Sequence, residues 1–97
     1  MSEQFEWDRR KARANLRKHG VSFEESASVF ENPLAVIFED EAHSGAEHRE
    51  ILVGHSSQDR LLLVCFVERE GLVRLISARL ATDKERIDYE KGRSLQE

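Results

Sequence analysis

The sequence predicts an α+β fold with two N-terminal helices, a four-stranded antiparallel sheet and a C-terminal helix. Two segments before the only proline, Pro33, begin with helix-capping residues. Four apolar runs follow that proline, and the last three are joined by turns short enough for antiparallel hairpins. With 97 residues there is room for one hydrophobic core. We therefore expect a single domain over 1–97, with a core at about 5–91 and a tail at 92–97.

The first helix is predicted by the residues at its two ends. Asp8 can cap residues 9–18, which are rich in helix formers, and Gly20 supplies a left-handed stop. The preceding residues 5–7 are β-like in composition but lie outside the four predicted strands, and Trp7 is expected to anchor the core.

The second and third helices each begin with a capping box. Ser22 and Glu25 form the first box, and an apolar stripe at helical spacing follows before Asn32 and Pro33 end the helix. Thr82 and Glu85 form the second box, whose helix runs to about Lys91. This last helix has few large apolar residues, so we expect it to be peripheral.

The four strands are predicted from apolar runs separated by polar turns. The two longest runs are almost continuously apolar, so they are expected to be central and covered by helices. A polar connection at 39–46 is expected after the first strand. The predicted strands are 34–38, 50–55, 61–67 and 72–78.

The net charge of −4 argues against a general nucleic-acid-binding protein, but the charge is unevenly distributed. Residues 1–20 carry six Lys or Arg and three acids, whereas residues 21–50 carry one and eight. The first helix therefore predicts a local basic surface. Cys65, the only cysteine, excludes an internal disulfide and a cysteine-based zinc site, and we expect it to pack in the core.

No segment predicts contact with a membrane. The longest apolar run, 61–67, has seven residues, far short of the ~20 that span a bilayer. The N-terminus lacks a signal sequence, so we expect a cytoplasmic protein.

Several segments together resemble one known family. They read "FEWD", "KHGVSFEE", "ENP", "EHRE" and "RLISARLATDKERIDYE", and they extend from Phe5 to about Glu90. In this combination they are similar to the BrnT family of bacterial type II toxins, whose fold resembles that of RelE-like ribonucleases. The resemblance implies a metal-independent endoribonuclease without cofactors that inhibits translation. It also implies a BrnA-like ribbon-helix-helix antitoxin as partner, with operator DNA bound only through the toxin–antitoxin complex.

Such RNA cleavage by 2′-hydroxyl attack needs cations for the phosphate and groups that transfer protons. Arg79 is the first candidate cation, because it ends a strand just before a helix N-terminus. Its alternative is structural pairing with Glu85 or Glu47. Arg49, which the family resemblance emphasises, is a second candidate and has surface pairing with Glu47 as its alternative. Arg74 points to the opposite face from Arg79 if the strand is regular, so surface pairing is favoured over phosphate contact.

For proton transfer, His19 is the main candidate, because histidine can give and take a proton near neutral pH. Its alternative is stabilisation of a helix end. Glu47 or Glu85 can act as base instead, and Tyr89 is a further catalytic candidate because RelE-like enzymes often use a tyrosine near the C-terminus. We expect three cations of the first helix to contact phosphates, namely Lys18, Arg17 and Arg13. The alternative is that they only form a solvated basic face of the helix.

The remaining histidines, His43, His48 and His55, lack the spacing of a metal site, so no metal is predicted. The alternative to an enzyme is a non-catalytic protein-interaction module or operon co-regulator, which the negative net charge favours.

Overall fold

The computed structural model describes residues 4–40 and 47–92. Residues 41–46 of the predicted connection, with His43, and residues 93–97 of the predicted tail lie outside the described residues. The described chain has a radius of gyration of 12.7 Å. None of its helices has the length and apolar character needed to cross a membrane.

The helices begin and end close to where the caps predict. Asp8 accepts hydrogen bonds from the Arg10 and Lys11 amides, and Thr82 and Glu85 complete a capping box. A short 3-10 turn at Val29–Glu31 extends the second helix. In chain order the elements are β1 (Gln4–Glu6), α1 (Arg9–His19), α2 (Phe23–Ser28), β2 (Val36–Glu39), β3 (Glu50–His55), β4 (Leu61–Arg69), β5 (Leu72–Leu80) and α3 (Asp83–Glu90).

The sheet has five strands and is mixed, so the prediction of four antiparallel strands was wrong in this detail. Strands β2 to β5 form the predicted antiparallel part, and the order across the sheet is β1-β5-β4-β3-β2. The added strand, β1, pairs in parallel with β5, and Phe5 lies opposite Val73. Composition indicated the β character of this segment, but its pairing depends on residues nearly seventy positions away in the chain.

The main core lies between one face of the sheet and the N-terminal helices. Phe23 and Val29 are fully buried against Leu62, Val64 and other apolar side chains of the central strands. Trp7 packs edge-to-face on Phe23, which confirms its predicted place in the core. The opposite face, which we call the open face, carries α3 at one end: Tyr89 and Ala81 pack there against Val53, Leu61 and Leu63.

Strand β5 contains a bulge that reverses the expected side of Arg74. Ser77 lies opposite Cys65 and Leu75 lies opposite Phe66, so Ile76 is an extra residue in this strand. Because Leu75 packs in the main core, Arg74 and Arg79 both face the open side of the sheet. The expectation of opposite faces was wrong, since it assumed a regular strand.

Candidate functional site

A cleft of about 290 Å³ lies on the open face, between the end of α1 and strands β3 to β5. Apolar side chains form its floor and polar side chains line its rim. The lining residues are His19, Asp40, Arg49, Ile51, Leu63, Cys65, Ser77, Ala78 and Arg79. The cleft therefore brings together three predicted site residues, His19, Arg49 and Arg79, from separate parts of the chain.

Strand register places most of these side chains. Leu63 lies opposite Arg79 and Cys65 lies opposite Ser77, so all four face the same side of the sheet. Arg49, immediately before β3, and Ile51 of β3 both line the cleft. The Asp40 amide donates to the Arg49 carbonyl at 3.0 Å, which extends the β2–β3 pairing to the cleft rim.

Asn15 brings the end of α1 to the cleft. Its side-chain amide donates to the carbonyl oxygens of Val21 and Ala78, both at 2.9 Å. Its side-chain oxygen accepts from the Ala78 amide at 3.0 Å. Asn15 therefore binds backbone groups on the edge of β5, beyond the residues that pair with β1. This contact also fixes His19, which follows one helical turn later, beside the cleft.

Arg79 is both paired and accessible. Its two terminal nitrogens each donate to Glu85 at 2.8 Å, and one of them also donates to the Leu80 carbonyl at 3.2 Å. These hydrogen bonds lower the pKa of Glu85 to about 2 and raise that of Arg79. An arginine has five N–H donors, so the Nε–H and a terminal N–H are still available, and the side chain is 42% exposed. The predicted pairing with Glu85 is thus compatible with binding of an oxyanion.

Three other candidates lie outside the cleft lining. Glu47 forms an ion pair with Arg69 at 2.7 Å, and Arg74 forms one with Glu6 at 3.2 Å. The Arg74 pair is of the kind that the sequence favoured, and its contact with phosphate stays a prediction. Tyr89 donates its hydroxyl hydrogen to the Leu34 carbonyl at 2.8 Å and stacks edge-to-face on His55. Its ring therefore supports α3 on the sheet.

The predicted phosphate-binding residues of α1 lie on different sides of the helix. Lys18 lines a groove next to the cleft, whereas Arg13 lines a separate groove between α1 and α2. Arg17 is exposed in the last turn of the helix.

Sequence reasoning missed Asp40 and Ser77, and it placed Cys65 in the core. Cys65 is only half-buried, and its thiol donates weakly to the Asp40 carboxylate at 3.9 Å. Burial, followed by the negative charge of Asp40, raises the pKa of this thiol. Cys65 shares a face with Arg79 only because of the bulge in β5, which the sequence does not indicate, and nothing in the sequence distinguishes Asp40 from its acidic neighbours.

The described histidines outside the cleft have other contacts. His48 lies 3.4 Å from Glu39, and His55 contacts Tyr89. Within residues 4–40 and 47–92, no three His, Cys, Asp or Glu side chains form a group that could hold a metal ion.

Comparison with known proteins decides the family. Residues 7–85 match the family model described as "Ribonuclease toxin, BrnT, of type II toxin-antitoxin system". The chain belongs to the BrnT family. This result confirms the resemblance noted in the sequence, and it makes the chain a ribonuclease toxin of a type II system, which implies an antitoxin partner.

A solved structure supports the fold. The crystal structure of the Brucella abortus ribonuclease toxin BrnT is similar to this BrnT-family chain with a TM-score of 0.65 and 22% sequence identity. The similarity covers 84% of this chain and 100% of the Brucella chain. A search of curated proteins found no match.

Proposed function

We propose that this chain is a metal-independent endoribonuclease that cleaves RNA by attack of a 2′-hydroxyl on the adjacent phosphorus, leaving a cyclic phosphate. One observation carries the proposal: His19, Arg49 and Arg79, which are far apart in sequence, line a single cleft. Together they supply the two functions that the reaction needs, proton transfer and stabilisation of charge on the phosphate.

In this proposal the two arginines hold the scissile phosphate from opposite rims of the cleft. Arg79 keeps N–H donors available beyond those that bind Glu85 and Leu80. Its guanidinium can therefore donate to phosphate oxygens while the carboxylate fixes its orientation. Arg49, just before β3, adds positive charge from the other side.

His19 transfers protons in the proposed reaction. In the cyclising step it fills one of two roles, either the base that accepts the proton of the attacking 2′-hydroxyl or the acid that donates a proton to the departing 5′-oxygen on the opposite side of the phosphorus. Asp40 is the carboxylate within the same cleft, and we propose it as the partner in proton transfer. Glu47 and Tyr89 remain predictions with less support, because their side chains contact Arg69 and the Leu34 carbonyl.

Lys18 contacts RNA phosphates near the cleft in this proposal, whereas Arg13, Arg17 and Arg74 remain predicted contacts. The cellular consequence we propose is inhibition of translation in the cytoplasm. A BrnA-like ribbon-helix-helix antitoxin neutralises the toxin, and operator DNA is bound only through their complex.

The test is incubation of the pure protein with end-labelled RNA in the presence of a chelator. We expect internal cleavage with cyclic-phosphate ends, and a loss of about 100-fold or more in Arg79→Ala. Arg86→Ala, which removes an exposed arginine of α3, is the matched control and should cleave normally.

Two results would contradict the proposal. Intact RNA at high protein concentration would favour the non-catalytic interaction module, and a fully active, folded Arg79→Ala protein would remove Arg79 from the mechanism. Growth arrest on expression, with rescue by the antitoxin gene, tests the cellular part. His19→Gln and Arg49→Ala extend the assay to the other two cleft residues.

A further inference from the structure

A second groove of about 220 Å³ adjoins the cleft. It lies between α1 and the bulged part of β5, and it shares His19 and Ser77 with the cleft lining. We call it the lysine groove. Its lining residues are Lys11, Ala14, Asn15, Lys18, His19, Ile76 and Ser77.

The charge of the lysine groove is suited to an anion. Lys11 and Lys18 line it, and the described residues of its lining include no carboxylate. The cleft, in contrast, contains Asp40, and the groove between α1 and α2 contains Glu24. Helix α1 as a whole carries six Lys or Arg and no acid, in a chain of net charge −4. A polyanion leaving the cleft therefore meets two cations and no lining carboxylate here.

The shape of the lysine groove is fixed by hydrogen bonds within the protein. The polar atoms of the Asn15 side chain are satisfied by Val21 and Ala78, so Asn15 holds the helix to the strand. Lys11 and Lys18 lie seven residues apart on one side of α1, about 10 Å along the helix axis. Lys18 is next to His19, which lines the cleft, and Lys11 lies farther from it. The two lysines therefore form a row of positive charge that extends away from the cleft.

We propose that the lysine groove binds a phosphate next to the cleaved one, so that the substrate is an RNA strand longer than the dinucleotide that is cut. The inference rests on the proposed nuclease function and adds a substrate-length requirement to it. Lysine ammonium groups bind the backbone as point charges, so this subsite does not read sequence.

The proposal separates two classes of substrate. A dinucleoside monophosphate fills only the cleft, whereas an oligonucleotide with the same dinucleotide in its centre also reaches the lysine groove. A contact far from the reacting atoms can stabilise the bound substrate and the transition state to the same extent. Such a contact raises the affinity for substrate and leaves kcat unchanged. Removal of the lysines should therefore raise KM for the oligonucleotide alone.

The experiment compares Lys11→Ala/Lys18→Ala with the wild type on both substrates. We expect about a tenfold or greater rise in KM on the oligonucleotide, an unchanged kcat, and unchanged kinetics on the dinucleotide. The slope of log(kcat/KM) against log[salt] should become shallower by roughly 0.7 for each phosphate group that the variant no longer binds. Arg9→Ala, which removes a cation of α1 on the side of the other groove, should match the wild type on both substrates.

Equal effects of the double variant on both substrates, or no effect on either, would overturn the length requirement. If the wild type cleaves no RNA, the nuclease proposal fails. A binding assay then tests whether the lysine groove holds a phosphate. The probe is a fluorescent oligonucleotide with 2′-deoxy sugars, whose affinity must fall in the double variant but not in Arg9→Ala. Unchanged affinity would overturn the subsite. Thermal unfolding of each variant checks that these exposed substitutions leave the fold intact.

Discussion

In the first turn of α3, the Glu85 carboxylate has two functions. It accepts hydrogen bonds from both terminal nitrogens of Arg79 at 2.8 Å, and one from the Thr82 amide at 2.9 Å. The first orients the guanidinium at the cleft, and the second caps α3. Glu85 is therefore a positioning residue for Arg79, which is itself proposed to contact the phosphate.

Removal of this carboxylate should impair catalysis more than binding. We expect Glu85→Ala to lower kcat by roughly 10- to 100-fold because Arg79 loses its fixed orientation. Glu85→Gln, which keeps an acceptor and can still complete a capping box, should lose less. Steady-state cleavage assays separate kcat from KM. Faster cleavage by Glu85→Ala would show instead that Glu85 restrains Arg79 from the phosphate.

A second carboxylate, Glu25, contributes to stability rather than to the cleft. It is buried beneath Arg60, whose Nε donates to it at 2.9 Å, and it accepts from the Ser56 hydroxyl at 2.6 Å. Arg60 also donates to the Gly20 carbonyl, so this ion pair links α2, the end of α1 and the β3–β4 turn. The hydrogen bonds from Arg60 lower the pKa of Glu25.

This ion pair predicts loss of stability in acid. A carboxylate with a lowered folded-state pKa stabilises the protein above its unfolded pKa, near ~4.3, and this contribution is lost as pH falls through the folded pKa. Thermal unfolding from neutral to acidic pH should therefore show a decline below about pH 4 that Glu25→Gln reduces. At neutral pH we expect Glu25→Gln to cost roughly 2 kcal/mol, less than a fully buried pair because Arg60 is a third exposed.

The neighbouring Glu24 provides the control, because it is exposed on the same helix. Glu24→Gln should keep the stability and the acid transition of the wild type. Identical pH profiles for Glu25→Gln and the wild type would show that another carboxylate controls acid stability.

At the scale of elements, the features that depend on nearby residues could be predicted from the sequence. Asp8, Ser22 and Thr82 all cap helices, because a cap depends on groups within a few residues. The box predicted at Ser22 is only half formed, since the Glu25 carboxylate binds Ser56 and Arg60 instead. The antiparallel strands β3 to β5 could be predicted for a similar reason, since apolar runs and short turns define hairpins. The composition of a single segment was sufficient for each of these elements.

Features that depend on contacts between distant segments could not be predicted in this way. The parallel pairing of β1 and the bulge at Ile76 both depend on which strand becomes the neighbour, and the bulge decides the side on which Arg74 lies. The same limit applies to the cleft. Arg79 and His19 were found because each ends an element beside a recognisable signal, whereas Asp40 enters the cleft only through the pairing of β2 with β3.

Asn15 is the residue that joins α1 to β5, and its chemistry gives a prediction for this junction. It acts at once as donor to Val21 and Ala78 and as acceptor from Ala78, which aspartate cannot do. We expect Asn15→Asp to lower the free energy of unfolding by about 1–3 kcal/mol, because buried carbonyls lose their donors. Chemical denaturation measures the change.

The same substitution should reduce cleavage in the protein that remains folded, because His19 follows Asn15 by one helical turn. Arg9→Ala, on the same helix but outside these hydrogen bonds and outside the lysine groove, is the control and should stay close to the wild type. Full stability in Asn15→Asp would mean that α1 is held in place by other interactions.

For the whole molecule, the arrangement of layers determines which surface is available. The N-terminal helices cover one face of the sheet, and one end of the open face is covered by Tyr89 of α3 and by Ala81 just before it. The cleft occupies the rest of that face, with an apolar floor of Ile51, Leu63 and Cys65 beneath charged rims. An antitoxin that blocks the proposed reaction directly must therefore cover this part of the open face.

Cys65 offers a direct test, because it is the only cysteine of the chain and lines the cleft. Burial raises the pKa of its thiol, so alkylation by iodoacetamide is best followed at alkaline pH, where more thiolate is present. If the cognate antitoxin covers the cleft, a concentration near 100 times its Kd leaves about 1% of the toxin free, and the alkylation rate should then fall roughly 100-fold. The denatured toxin provides the unprotected rate, and mass spectrometry measures the extent of labelling. An unchanged rate in a saturated, inactive complex would place neutralisation away from the cleft, and the groove that Trp7 and Leu16 line between α1 and α2 would become the surface to test.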